Sequence, residues 1–150
     1  MKPNKTTTKR SFFLFTVILL LGCSNEIDEL FPYTAINFNI NLSNNSTLYS
    51  PNTSEIFKRS ERLGAGYGGI IIYCNGDNDY SAFEAVCTYE QDRNILADSL
   101  VNDRAYCRKC KSGYFLRLNR DAPPIEGSKS QYALKQYNCY QNGNILTVTN

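Results

Sequence analysis

Residues 36–42 alternate without a break. Ile36, Phe38, Ile40 and Leu42 are apolar, and Asn37, Asn39 and Asn41 between them are polar. A two-residue period sends successive side chains to opposite faces of an extended chain, so this is a half-buried strand. Similar short signals recur. Ile70–Cys74 is a β-branched run suited to a buried strand, and Asn75-Gly76-Asp77-Asn78 is turn chemistry. Tyr80, Ala82 and Val86 belong to the returning strand. Residues 95–100 and 104–106 flank a Val101-Asn102-Asp103 turn, and 114–118 is a further strand. Ala122-Pro123-Pro124 interrupts regular structure, and 132–140 with 145–148 makes a hairpin about Asn142-Gly143. Residues 43–54, rich in Asn, Ser and Thr, read as loop. No segment carries a sustained helical stripe. Short strands joined by turn residues imply an all-β fold, an antiparallel sandwich or barrel.

The first residues have a different logic. Lys2, Lys5, Lys9 and Arg10 precede an apolar run from Phe12 to Leu21, broken only by Thr16. The run is short for a membrane span and has the form of a signal peptide. It ends in Leu20-Leu21-Gly22-Cys23, which resembles a bacterial lipobox. That resemblance implies a signal peptide over residues 1–22 and lipidation of Cys23. Residues 23–34 are then a lipidated anchor and linker, and 35–150 a single β domain. Ser24 after the lipidated residue implies outer-membrane sorting, and the acidic Glu26, Asp28 and Glu29 resemble a surface-export signal. The expected location is the bacterial cell envelope, with the membrane as partner through the lipid.

Of 16 Lys+Arg and 14 Asp+Glu, four basic residues precede Cys23, which leaves 12 against 14. With no basic excess, charge gives no case for nucleic-acid binding. Gly64-Ala65-Gly66-Tyr67-Gly68-Gly69 satisfies the dinucleotide-binding spacing. That motif needs a strand before it and a helix after it, whereas here a strand follows. A loop or bulge entering Ile70 is the better reading.

Chemistry concentrates in two cysteine loops, Cys87-Thr88-Tyr89 and Cys107-Arg108-Lys109-Cys110-Lys111-Ser112. They are separated by residues 90–106, and the chain contains no histidine. From about Phe38 to Thr149 the sequence resembles a Rieske-type iron–sulfur domain, whose loops read C-x-H and C-x-x-H-x-S. Cys87 and Cys107 match the thiolate pair. Tyr89 and Cys110 stand where the ligand histidines would be, and Gln91 where a glycine is usual. Ser112, Tyr114, Pro124, Gly127, Leu134, Tyr137 and the Asn142-Gly143 hairpin follow the family order. The resemblance implies a Rieske-like fold with a small cysteine-loop subdomain. The cluster site is degenerate, because a Rieske centre holds one of its irons with two imidazoles.

The same loops admit several chemistries. Two thiolates placed to grip one iron are close to disulfide distance, so Cys87 could pair with Cys107 or Cys110. Such a bridge stabilises by roughly 3 kcal/mol, and an exported compartment favours it. A non-Rieske iron–sulfur cluster would support electron transfer. Zinc could take Cys87, Cys107 and Cys110, with Glu90 or water as a fourth ligand; Tyr89 and Glu90 are the weaker ligand candidates of the loops. Cys107-x-x-Cys110 could also be a thiol-redox pair. Outside the loops, Cys74 and Cys139 could form a structural disulfide or stay as small buried residues.

Without histidine there is no Cys-His or Ser-His nucleophile pair. Glu84 and Glu90 read as solvated strand ends. The expected protein is an envelope-anchored lipoprotein, not an enzyme, with structural cysteine loops.

Overall fold

The computed structural model describes residues 30–117 and 121–150. The signal segment, Cys23 and the end of the strand expected over 114–118 lie outside the described residues. Among the described residues, nine strands form two antiparallel sheets. In chain order they are β1 (Asn37–Asn41), β2 (Ser54–Lys58), β3 (Gly69–Gly76), β4 (Asp79–Glu84), β5 (Ser99–Val101), β6 (Arg104–Tyr106), β7 (Gly113–Phe115), β8 (Gln136–Asn142) and β9 (Ile145–Thr149). The larger sheet runs β1-β9-β8-β4-β3-β2 and curls; the smaller runs β5-β6-β7.

The 36–42 alternation is β1: Phe38 and Ile40 are buried, and Asn37, Asn39 and Asn41 are exposed. They pack with Leu146 and Val148 of β9 and with Ile70, Ile72 and Ala82 to form the main core. From Gly69 to Cys74 β3 carries no charged side chain, because that stretch is buried on both faces. Its other face, Ile71 and Tyr73, packs with Phe83, Ala105, Tyr114, Leu116 and Leu134 in a second core beneath the small sheet. Each fully buried Ile contributes roughly 1.5–3 kcal/mol, so the two-sided strand anchors both halves.

The turns follow the local chemistry, with strand boundaries moved by one to four residues. β3 and β4 meet through Asp77 and Asn78, both at positive φ, as a primed hairpin turn requires. β8 begins later than expected, at Gln136, and persists through Asn142, so its turn residues are Gly143 and Asn144. The strand expected over 95–100 is split. Leu96 forms an isolated bridge with Val86, and β5 begins at Ser99. The 43–54 loop contains two short 3-10 turns, Leu42–Asn44 and Ser46–Tyr49, held by the buried Leu42 and Leu48. β2 has no clear sequence signal, because at this edge position only Phe57 is fully buried.

Glu84 corrects one expectation. It is wholly buried, not solvated. Its Oε2 accepts from Tyr67 N (2.6 Å) and Tyr137 Oη (2.7 Å), and its Oε1 from Gly68 N (3.0 Å), Gly69 N (3.2 Å) and Val86 N (3.3 Å). The glycine-rich loop therefore cradles an anion, as its backbone favours, but the anion is the protein's own carboxylate. A Cβ on Gly68 would stand 2.5 Å from the Arg93 carbonyl oxygen, so the close approach of two backbones requires glycine.

Candidate metal or disulfide centre

The two cysteine loops are built alike. Cys87 emerges from β4 through the Val86 bridge, and Cys107 follows β6 directly. In the first loop Gln91 N donates to Cys87 O at 2.9 Å; in the second Lys111 N donates to Cys107 O at 2.9 Å. Gln91 (φ 54°) and Lys111 (φ 67°) close these turns in the left-handed region. That conformation suits glycine, so Gln91 occupies a position where a side chain costs energy. Cys87 N then donates to Ile95 O (3.0 Å) and Cys107 N to Ser112 O (2.8 Å).

These turns bring Cys87, Cys107 and Cys110 together. Their Sγ atoms all lie within 4.8 Å of one another, and all three residues are buried, with Ile95 packed against them. Cys87 Sγ lies 3.5 Å from Cys110 Sγ and 3.4 Å from Tyr114 Oη. Cys110 Sγ donates to Ser112 Oγ at 3.2 Å.

A polar network latches the loops to each other. Tyr114 Oη accepts from Thr88 N (3.2 Å) and lies 3.0 Å from Thr88 Oγ1. Thr88 Oγ1 is 2.6 Å from Ser130 Oγ, and Ser130 N donates to Ser112 Oγ at 3.0 Å. Thr88 and Ser130 carried no sequence signal. Their importance comes from segments 42 residues apart meeting in space.

The thiols are not equivalent. Burial pushes Cys107 up to about 12, so it remains a neutral thiol near pH 7. Burial also raises Cys110, but the Ser112 hydroxyl and backbone N–H outweigh it, and the net shift is downward. Burial, then the neighbouring Cys87, pushes the Tyr114 phenol up, so it stays a hydrogen-bond donor.

The other candidates lie apart. Tyr89, at the first histidine-like position, is 51% exposed, with Lys129 Nζ 5.9 Å from its ring centroid. Glu90 accepts an ion pair from Lys109 Nζ at 2.8 Å, tying the loops on the outside. Neither belongs to the sulfur group. Glu90 is thus a partly buried ion-pair partner and not a solvated strand end. Cys74 is buried in the main core with Cys139 packed against that core. Both are free thiols, as are Cys87, Cys107 and Cys110, so neither expected bridge is formed in this structure. Burial, then Asp79, raises Cys139 to about 12.

A histidine-ligated two-iron cluster does not fit this donor set. Three thiols converge, no imidazole exists in the chain, and the phenol at the first ligand position faces outward. Three thiolates could instead hold a single tetrahedral ion with a fourth position left over.

No protein-family profile matches the chain, and no curated protein does. Among solved structures it is similar to a chain of the complex of reduced oxygenase and oxidized ferredoxin in carbazole 1,9a-dioxygenase. The TM-score is 0.53 at 17% identity, over 77% of this chain and 94% of the other. At that identity the likeness is one of fold, and it supports a Rieske-like all-β architecture for this chain.

Proposed function

We propose that this chain is an envelope-anchored, non-enzymatic lipoprotein module in which the cysteine site of a Rieske-like domain serves as a structural staple. The observation that carries this reading is the buried approach of Cys87 Sγ and Cys110 Sγ to 3.5 Å across two separate loops. In an exported compartment a disulfide-bonded oxidant takes the two electrons and two protons that Cys87 and Cys110 give up as their S–S bond forms; Ser112 lowers the Cys110 thiol, and Cys107, raised by burial, is left reduced. The lipobox-like Gly22-Cys23 supplies the anchor.

A second reading rests on the three converging sulfurs: Cys87, Cys107 and Cys110 hold a metal. One experiment separates the two. The full chain is produced by export under oxidising conditions and also anaerobically under reducing conditions. Metal, sulfide, visible absorption and free thiols are then measured. A colourless, metal-free protein with a Cys87–Cys110 bridge in the exported sample supports the staple. Stoichiometric zinc or iron held by the three cysteines in both samples overturns it. Radiolabelled fatty acid retained by the native chain and lost in Cys23→Ala tests the anchor separately.

A further inference from the structure

Beside the sulfur site, and distinct from it, lies an open groove with a volume of about 620 Å³. Five cations line it: Lys58, Arg59, Arg93, Arg108 and Lys109. Asp98 is its one acidic lining residue among the described residues. This concentration is opposite in sign to the rest of the chain after Cys23, where acidic residues outnumber basic ones. Segregation of charge into a concave surface focuses the potential there.

The cations are positioned but not neutralised. Asp98 divides one charge between Lys58 Nζ (3.3 Å) and Arg108 Nε (3.2 Å). Glu90 answers Lys109 from outside the groove. Arg59 Nη1 is held by an uncharged partner, the Gly66 carbonyl, at 2.6 Å. The Arg93 guanidinium carbon sits 5.7 Å from the centroid of the Tyr67 ring. Five positive charges thus face three negative ones, Asp98, Glu90 and Asp92, the last acting on Lys109. Leu63, which is 92% exposed, joins Ile95 and Leu96 as an apolar shelf in the same groove. Guanidinium forks match the paired oxygens of phosphate and carboxylate, and the volume lies within the range of small-molecule sites.

We propose that this groove binds a small organic polyanion, with two or more phosphate or carboxylate groups on a carbon frame. The arginines and lysines take the anionic groups, and Leu63, Ile95 and Leu96 take the frame.

The test is calorimetric titration of the purified full-length chain with glycerate 2,3-bisphosphate and with citrate, at low and moderate salt. The expected result is saturable binding that weakens with salt and falls about tenfold or more in Arg93→Glu and in Arg108→Glu. Arg108 is 73% exposed, so its replacement keeps the test valid if the Arg93 variant fails to fold. Arg104→Glu, on β6 outside the groove, changes net charge equally and should leave affinity within about twofold. No binding of either anion at about 10 mM overturns the proposal. So does equal weakening by Arg104→Glu, which would mean a diffuse charge effect. Binding to phosphatidylglycerol vesicles without a response to either small anion also overturns it.

Discussion

Replacing Glu84 by glutamine changes one oxygen to an amide nitrogen on a side chain that accepts five hydrogen bonds. The carboxylate accepts from four backbone N–H groups and the Tyr137 hydroxyl. An amide keeps only one acceptor. If its NH2 takes the Oε1 position, it meets Gly68, Gly69 and Val86 N–H groups and satisfies none of them. If it takes the Oε2 position, Tyr137 can rotate to accept, but Tyr67 N–H is orphaned. The second arrangement costs less. Orphaning one buried donor costs about 1–3 kcal/mol, and the three remaining bonds fall from charged to neutral strength. Relief of burying a charge offsets part of this. The net loss should be about 3 kcal/mol. Denaturant unfolding of Glu84→Gln measures it directly, with an unchanged slope and a lowered midpoint. In thermal unfolding the fall should be roughly 10 °C. Amide exchange at Tyr67, Gly68 and Gly69 should accelerate in the same variant. A loss below about 1 kcal/mol, with protection retained at those amides, would refute the idea that the carboxylate holds the glycine loop.

Other expectations follow from the same geometry. Cys87→Ser and Cys110→Ser should each cost about 3 kcal/mol in oxidised protein, because a bridge between positions 23 apart constrains the unfolded chain. Under reducing conditions the loss should shrink, which paired unfolding curves in each buffer would test. Gly68→Ala should destabilise by about 2 kcal/mol or more, since its Cβ meets the Arg93 carbonyl oxygen and the Val86 and Leu96 side chains. Burial raises Glu55 from its ordinary 4.5, with Arg62 opposing, and its Oε2 has no hydrogen-bond partner. The folded state therefore holds that proton more tightly than the unfolded state. Its stabilising share is full below the unfolded value and is lost as pH rises through the folded one. Glu55→Gln should accordingly raise the unfolding midpoint at pH 7 and have less effect at pH 4, as parallel melts at the two pH values would reveal.

Much of the fold was legible because strands announce themselves locally. The Ile36–Leu42 alternation and the Asp77-Asn78 turn need only side-chain periodicity and backbone preference to be read. β2 escaped because a strand held at a sheet edge by β3 needs little apolar character of its own. The cysteine spacing marked the two loops, but the composition of the sulfur group was a matter of space. Tyr89 occupies a ligand-like place in sequence and faces solvent, while Tyr114 reaches Cys87 from another strand. Glu84 was misread because local sequence carries no record of a loop 15 to 17 residues earlier folding its N–H groups onto the carboxylate.

By itself, then, the amino-acid sequence determined the all-β character, the hairpin turns and the absence of an imidazole-ligated centre, since each depends on residue type or short-range pattern. The tertiary structure alone decided which three sulfurs meet, which carboxylate closes the glycine loop and where five cations gather into one groove. Those outcomes depend on long-range strand pairing, which brings together groups whose separation along the chain carries no signature of their contact.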